Sequence, residues 1–159
     1  MQKALIVCFT VAAVSIGALA GADGHISDKQ IETAVKARKA HMQLYSFHLA
    51  TLGGMAKEEI PYDADTAAAA ADSIAALSGI SQAGYWLPGS DNASIEDTRA
   101  LPAIWEDGSD VGAKAGAFVE AALLMQTAAP TGLAALQGAM GPLGTSCGGC
   151  HQNYRQSNN

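Results

Sequence analysis

The sequence predicts an all-α protein, an antiparallel four-helix bundle, from three observations. Apolar residues recur in steps of three and four along four segments, which is the spacing of one face of an α-helix. Beyond the N-terminal segment, no stretch alternates apolar and polar residues as a half-buried strand does. A single long connection, rich in Gly, Pro, Ser and Asp, joins the second and third segments, and the other turns are short, as in many helix bundles.

The first helix is predicted over residues 28–56, where Ser27 and Gln30 form a capping-box start. His41 and His48 lie on the flank of its apolar face, and we expect both to face solvent or a partner subunit. The residues expected on the apolar face itself are Ile31, Val35, Arg38, Met42, Tyr45, Leu49, Leu52 and Ala56.

Three further helices are predicted over residues 63–78, 110–129 and 131–155. The long connection before the third helix contains Trp86 and Trp105, which we expect to anchor it to the bundle. Small alanine side chains dominate the second helix, so this helix can pack close to a neighbour.

The fourth helix contains residues that weaken helices just before its most informative segment. Gly141, Pro142 and Gly144 precede Cys147 by a few positions. Because proline cannot donate a backbone hydrogen bond and glycine is flexible, we expect a kink or local unwinding there.

The N-terminal segment predicts export. Residues 1–22 combine Lys3 with a short apolar run and small residues near Ala20 and Ala22, as a cleaved signal peptide does. The remaining residues 23–159 suit one domain, which would lie in the periplasm of a Gram-negative bacterium. Loss of Lys3 leaves eight basic and fifteen acidic residues, so neither nucleic acid nor a membrane surface is an expected partner.

A cysteine pair near the C-terminus carries the predicted chemistry. Cys147, Cys150 and His151 form the Cys-x-x-Cys-His motif of covalent haem attachment, in which both thiols bind the haem and the histidine ligates its iron. On a helix the three side chains project from one side toward a single flat macrocycle. We therefore expect one covalent haem c per chain, held inside the bundle.

Two other uses of the cysteines compete with haem attachment. A thiol redox pair usually opens a helix, where the helix dipole lowers a thiol pKa, whereas this pair lies near a helix end. A zinc site needs four ligands, and only His25, His41 and His48 could supplement the motif.

The chain resembles the cytochrome c′ family, in which this motif lies on the last helix of an exported bundle. The likeness includes Tyr154 and Arg155 after the motif and the segments 34–38, 61–64, 88–90 and 104–105. It implies a non-enzymatic haem protein and a homodimer formed chiefly by the first two helices. No constellation of catalytic acid, base or nucleophile is seen.

Arg38 interrupts the apolar face of the first helix, and a guanidinium there needs an anionic partner. A haem propionate would supply one, as the resemblance implies, whereas the alternative is an arginine that reaches solvent from the bundle edge. By the same resemblance, Arg155 could lie beside the proximal imidazole and influence ligand exchange. Its alternative is a solvated residue that favours the helix dipole.

Met42 matches the family position that covers the distal haem face. If it only packs over the ring, the iron is five-coordinate and binds nitric oxide or carbon monoxide, with one-electron redox capacity. This is the function we expect. If its thioether binds iron, the protein is a six-coordinate, low-spin electron carrier. The sequence does not identify the redox partner.

Overall fold

The computed structural model describes residues 26–157 and is a bundle of four α-helices, as predicted. The predicted signal peptide, residues 1–22, and His25 lie outside the described residues. Within residues 26–157, no helix is long and apolar enough to cross a membrane. The helices are α1 (Asp28–Ala56), α2 (Ala64–Ser78), α3 (Val111–Ala128) and α4 (Leu133–Tyr154).

The helix starts follow the side chains that cap them. The Ser27 hydroxyl accepts a hydrogen bond from the Gln30 amide, and the Gln30 side chain accepts one from the Ser27 amide at 2.8 Å. This reciprocal pair is the predicted capping box. At the start of α2, the Asp63 carboxylate accepts a hydrogen bond from the Thr66 amide at 2.8 Å.

One end of the bundle holds a closed apolar core, formed where the C-terminal half of α1 meets α2, α3 and the N-terminal half of α4. Alanines of α2 line the interior of this core, so the neighbouring helices approach α2 closely. Burying this apolar surface stabilises the packed helices. Side chains with no exposure in this core are Leu52, Ala67, Ala71, Ala122, Met125, Ala129, Leu136 and Leu143.

The long connection, residues 79–110, crosses the other end of the bundle. It contains two short 3₁₀ helices, Ala83–Tyr85 and Pro102–Trp105. The Trp105 indole nitrogen donates a hydrogen bond to the Trp86 carbonyl at 3.0 Å, and the two rings lie 6.5 Å apart between centroids. Both tryptophans also pack against a cluster that contains Tyr154 of α4, so they anchor the connection to the bundle, as expected.

α4 continues without a break through Pro142, so the expected local unwinding before the motif is wrong. Ala139 and Leu143, on either side of the proline, are both buried in the closed core. Their packing favours the helical backbone, and this tertiary preference outweighs the low helix propensity of the local sequence.

The buried face of α1 is rotated by about 40° from the predicted face, toward His41. The expectation that His41 faces solvent or a partner is wrong, because the side chain is only 5% exposed. Its ring packs against Tyr45 at 4.8 Å and Tyr85 at 5.7 Å between centroids. The first 3₁₀ helix of the connection therefore covers a flank that the periodicity alone leaves open. His48 is half-buried beside Phe47.

Candidate functional site

The motif residues share one face of α4. At 100° per residue, Cys150 and His151 lie about 60° and about 40° to either side of Cys147 around the helix axis. Both cysteines are free thiols, and all three side chains are half-buried. An open groove along α4 is lined by Gly141, Gly144 and the two motif glycines, Gly148 and Gly149, but not by Cys147, Cys150 or His151.

Aromatic side chains surround the motif. Cys150 packs on a small cluster that contains Trp86, Trp105 and Val111, partly buried, with Ile104 and Tyr154 at its centre. This cluster joins α4 to the long connection and to the start of α3. It forms an apolar wall on one side of the motif.

Tyr45 of α1 lies on the Cys147 side of the motif. Its ring meets Phe118 of α3 edge to face, 4.9 Å between centroids. Burial raises the pKa of Tyr45 to about 12, against a lowering by its contact with Gln82, and the nearby Cys147 thiol also raises it. The phenol is therefore neutral at physiological pH and acts as a polar but uncharged neighbour of the motif.

The environment of the thiols disfavours a redox pair. Burial is the largest cause that raises the pKa of both Cys147 and Cys150. A reactive thiol pair needs a lowered pKa, because the thiolate is the nucleophile. Among residues 26–157, no group of three or more His, Cys, Asp or Glu side chains could hold a metal ion. His25, which the zinc alternative also named, lies outside these residues.

Arg38 is buried, at 4% exposure, so the alternative in which it reaches solvent is excluded. One terminal nitrogen donates to the Ser90 hydroxyl at 3.2 Å and the Tyr85 carbonyl at 3.3 Å. The other donates to the Ser90 carbonyl at 2.9 Å and the Thr98 hydroxyl at 2.7 Å. The guanidinium also lies over the Trp86 ring, 4.5 Å from its centroid.

These partners of Arg38 are all neutral. Among the described residues, no carboxylate lies within ion-pair distance of the guanidinium. Asp91, which follows Ser90 in the sequence, is also buried. Its carboxylate accepts hydrogen bonds from the Ala93 and Ser94 amides instead. Burial lowers the pKa of Arg38. A buried cation with neutral acceptors alone is a strong site for an added anion.

Met42 lies within the inward-facing arc of α1, about 40° from Arg38 and about 60° from Tyr45 around the helix axis. Its side chain is nevertheless 37% exposed. The described side chains therefore cover Met42 only in part, although residues on both sides of it along the same arc are buried or half-buried. Met42 is free to contact a group held between α1 and α4.

The positive charges of two arginines act on the His151 imidazole. Burial is the main cause that lowers the pKa of His151, and the positive charges of Arg155 and then Arg99 lower it further. The Arg155 amide donates to the His151 carbonyl at 3.2 Å, as the cap of α4. A lowered pKa keeps the imidazole neutral and able to ligate a metal.

These residues fit a covalent haem. Two thiols and an imidazole project from one helical face, as the attachment chemistry requires. The inward-facing side chains around them, Met42, Tyr45 and Phe118, are exposed or half-buried, so their surfaces are accessible to a flat macrocycle. The buried Arg38 cation supplies the complement to an acidic haem edge.

Sequence reasoning missed four contributors to the site. Ser90 and Thr98 hold Arg38, Arg99 acts on His151, and His41 fills the flank of α1. The first three lie in the long connection, where no periodicity places a residue. The only available signal was the buried charge of Arg38, which requires acceptors that its own helix does not supply.

The cytochrome c′ family model matches residues 33–155 of this chain. Cytochrome c-554 of Cereibacter sphaeroides is 48% identical over 128 residues, covering 80% of this chain and 96% of the relative. Cytochrome c′ of the same organism is 36% identical over 124 residues, covering 78% of this chain and 83% of the relative.

Solved structures of cytochromes c′ are also similar. The structure from Rhodobacter sphaeroides has a TM-score of 0.78 at 34% identity and covers 80% of this chain and 98% of its own. Two variants from Alcaligenes xylosoxidans, one with nitric oxide and one with carbon monoxide bound, each have a TM-score of 0.69 at 30% identity. Both cover 80% of this chain and 97% of their own.

Proposed function

Because the chain belongs to the cytochrome c′ family, whose members are non-enzymatic and carry one covalent haem c per chain, we propose that it binds small gases. Cys147, Cys150 and His151 would hold the haem, whose iron would bind nitric oxide or carbon monoxide and retain one-electron redox capacity. The similar Alcaligenes xylosoxidans structures with these two gases support this assignment.

The observation that carries the proposal is the arc of α1 that faces the motif. The nearby imidazole of His41 is only 5% exposed and packs between two tyrosine rings, and its buried Nε2 has no hydrogen-bond partner among the described residues. Met42 is then the only side chain of this arc that offers a soft ligand to iron. A thioether is a weak ligand, which a strongly binding gas can avoid or displace.

Each site residue has a role in this proposal. Cys147 and Cys150 hold the haem, and His151 ligates the iron from the same helix. Arg38 binds a propionate, since that anion would be its only charged partner among the described groups. Arg155 lies by the proximal histidine, where its charge influences ligand exchange.

A second candidate function is electron transfer with Met42 as the sixth iron ligand. Two observations favour it: Met42 is 37% exposed on the arc that faces the motif, and the chain is more similar to cytochrome c-554 of Cereibacter sphaeroides than to the cytochrome c′ of that organism. In this case the iron would be low-spin, and a gas would have to displace the methionine.

The absorption spectrum of the purified ferric and ferrous protein separates these functions. High-spin or mixed-spin ferric bands, with carbon monoxide binding to the ferrous form without a lag, support gas binding. A charge-transfer band at about 700 nm that Met42→Ala abolishes would contradict gas binding and support electron transfer. Met125→Leu, in the closed core, is the matched control and should leave either spectrum unchanged.

We also propose that the protein is periplasmic, since the family is exported and the N-terminal sequence has the pattern of a signal peptide. Haem attachment through a Cys-x-x-Cys-His motif would then take place after export. Periplasmic fractionation followed by haem staining tests this. Haem-bearing protein that retains residues 1–22 in the cytoplasmic fraction would contradict it.

We propose that a second copy of the chain covers the outer face of α1. Leu44 and Phe47 lie one turn apart there, and Phe47 is 68% exposed. Large apolar side chains that are exposed together mark interfaces. Phe47→Glu should convert a dimer to a monomer in sedimentation experiments, whereas Leu124→Glu, an exposed leucine on α3, should not. A parent protein that sediments as a monomer would contradict this proposal.

A further inference from the structure

The last residues of the described chain are fastened to the long connection by what we name the C-terminal clamp, residues 99–101 paired with residues 154–156. The Leu101 amide donates to the Tyr154 carbonyl at 3.0 Å, and the Gln156 amide donates to the Arg99 carbonyl at 2.8 Å. Ala100 and Arg155 form the antiparallel bridge between these two bonds. The clamp therefore fixes the backbone that follows the last turn of α4.

Arg99 reinforces the clamp with its side chain. Its Nε donates to the Gln156 carbonyl at 3.0 Å, and Nη2 donates to the same oxygen. Asn92 adds a bond from its side-chain amide to the Gln156 side chain at 3.1 Å. A guanidinium can place two donors on one oxygen, which a lysine ammonium cannot do with the same fixed orientation.

The clamp lies next to the iron ligand predicted by the motif. Its Arg155 amide closes α4 on the His151 carbonyl, so the clamp and the proximal histidine share one turn of helix. The Arg99 side chain binds the Gln156 carbonyl and Arg155 follows His151 by four residues, so both cations are held at the end of the helix that carries His151. The motif pattern indicated only one of these two positive charges.

The clamp is also connected through hydrogen bonds to Arg38 of α1. The Thr98 hydroxyl accepts bonds from both the Arg38 guanidinium, at 2.7 Å, and the Ala100 amide, at 3.2 Å. Ala100 in turn pairs with Arg155. One short segment of the connection, Thr98 to Ala100, thus links Arg38 of α1 to the end of α4.

We propose that Arg99 is a positioning residue for the proximal side of the haem. Its two donors hold Gln156, and through the clamp they fix Arg155 beside His151, while its charge adds to that of Arg155. Ferric iron carries one more positive charge than ferrous iron, so both cations favour the ferrous state. The inference rests on the haem attachment described above and holds whether or not Met42 binds iron.

Three variants of the haem-loaded protein test the proposal. Arg99→Gln removes the charge and weakens the fork, and Arg99→Lys keeps the charge but lacks the fork. Lys57→Gln is the matched control, because it removes one exposed positive charge after α1, where Gln137 contacts Ala56 at the opposite end of α4. The reduction potential and the hydrogen exchange rates of the Leu101 and Gln156 amides are measured for each.

We expect Arg99→Gln to lower the reduction potential more than Lys57→Gln does, and to speed exchange at both amides by about tenfold or more. Arg99→Lys should restore much of the potential while the amides still exchange faster than in the parent. Equal potentials for Arg99→Gln and Lys57→Gln would overturn the electrostatic role, and unchanged exchange would overturn the clamp.

The two readouts separate this inference from the proposed function. A chain without covalent haem would contradict the proposed function, yet the exchange rates would still test whether Arg99 holds the clamp. If Arg99→Gln fails to fold, Arg99→Lys alone decides: parental exchange rates in that variant would show that the fork does not matter.

Discussion

The two ends of the bundle are stabilised differently. The closed core, where α2 and the start of α4 pack on α1 and α3, depends on apolar side chains with no exposure. Around the motif, Cys147, Cys150, His151, Tyr45 and Phe118 stay half-buried, and hydrogen bonds made by the buried Arg38 and Tyr154 side chains hold the structure together. The first end is complete as protein, whereas the second is arranged around a cofactor.

This difference shows how one bundle serves two needs. Close packing resists change, because loss of a single buried side chain leaves a cavity. The motif end instead needs side chains that remain available to a macrocycle and to an incoming ligand. Directional hydrogen bonds from the connection hold its shape without filling its interior.

The largest effect is expected from removing both thiols. Cys147→Ser together with Cys150→Ser should abolish covalent haem, because no other described cysteine can form the bonds. Acid-acetone extraction should then remove the colour, and mass spectrometry should find the bare chain. Ser146→Ala, next to the motif, should retain the haem. Haem that stays with the double variant through extraction would contradict the assigned attachment sites.

Next in size is a cavity in the closed core. Leu136→Ala should lower the free energy of unfolding by about 2–5 kcal/mol, since this side chain is fully buried. Leu124→Ala, at an exposed position of α3, should change it by less than about 0.5 kcal/mol. Denaturant unfolding measures both. A large change in the haem spectrum of Leu136→Ala would show that the two ends are not independent.

Arg38→Leu should affect the motif end in two ways. Its loss leaves the buried Ser90 carbonyl without the Arg38 donor, which costs about 1–3 kcal/mol, and removes one of the two donors to the Thr98 hydroxyl. It also removes the cation expected at a propionate, so the reduction potential and spectrum should change. Lys39→Gln, an exposed neighbour, is the control. Parental stability and spectra in Arg38→Leu would refute both roles.

Tyr154→Phe should shift the acid stability. The Tyr154 hydroxyl donates to the Asp110 carboxylate at 2.5 Å, and this bond is the main cause that lowers the pKa of Asp110 below its ordinary value of 3.8. Because the pKa is lower in the folded state than in the unfolded state, this bond stabilises the protein at pH values above 3.8. The stabilisation is lost as the pH falls through the folded-state pKa. The variant should therefore begin acid unfolding at a higher pH.

An NMR titration should find the Asp110 pKa raised in Tyr154→Phe relative to the parent. Tyr62→Phe is the matched control, because its hydroxyl donates to the Ala129 carbonyl at the closed end. It should lower stability at every pH and leave the titration of Asp110 unchanged. An Asp110 pKa that does not move in Tyr154→Phe would contradict the assigned cause.

The smallest expected effect is a gain in stability. Glu58, after α1, adopts a left-handed backbone with φ of 60°, where residues other than glycine are disfavoured. Glu58→Gly should therefore stabilise the protein by about 1 kcal/mol, whereas Glu58→Ala should not. Thermal unfolding of the two variants measures the difference. Equal stability would show that Glu58 is not strained.

The helices could be predicted closely because each has a local signal. Ser27 and Asp63 cap their helices, and the three-four periodicity is carried by side chains that are indeed buried, such as Leu52 and Leu136. The motif was likewise legible, since its spacing alone places three side chains on one helical face.

The sequence could not reveal contacts that depend on the long connection. Tyr85 covers His41 and thereby rotates the buried face of α1, and nothing in the local sequence of α1 encodes that contact. Pro142 led to the wrong prediction of local unwinding, because the packing of the buried Leu143 keeps α4 helical there. The roles assigned to Met42, Arg38 and Arg155 remain predictions.

The positions of the two tryptophans determine what light can report about this molecule. Trp86 and Trp105 are the only tryptophans of the chain, and both pack against the cluster that includes Cys150. A haem bound there would accept their excitation energy and darken their emission. Intrinsic tryptophan fluorescence would therefore report on the haem end alone. The emission would increase when that end unfolds, whereas unfolding of the closed core by itself would not change it.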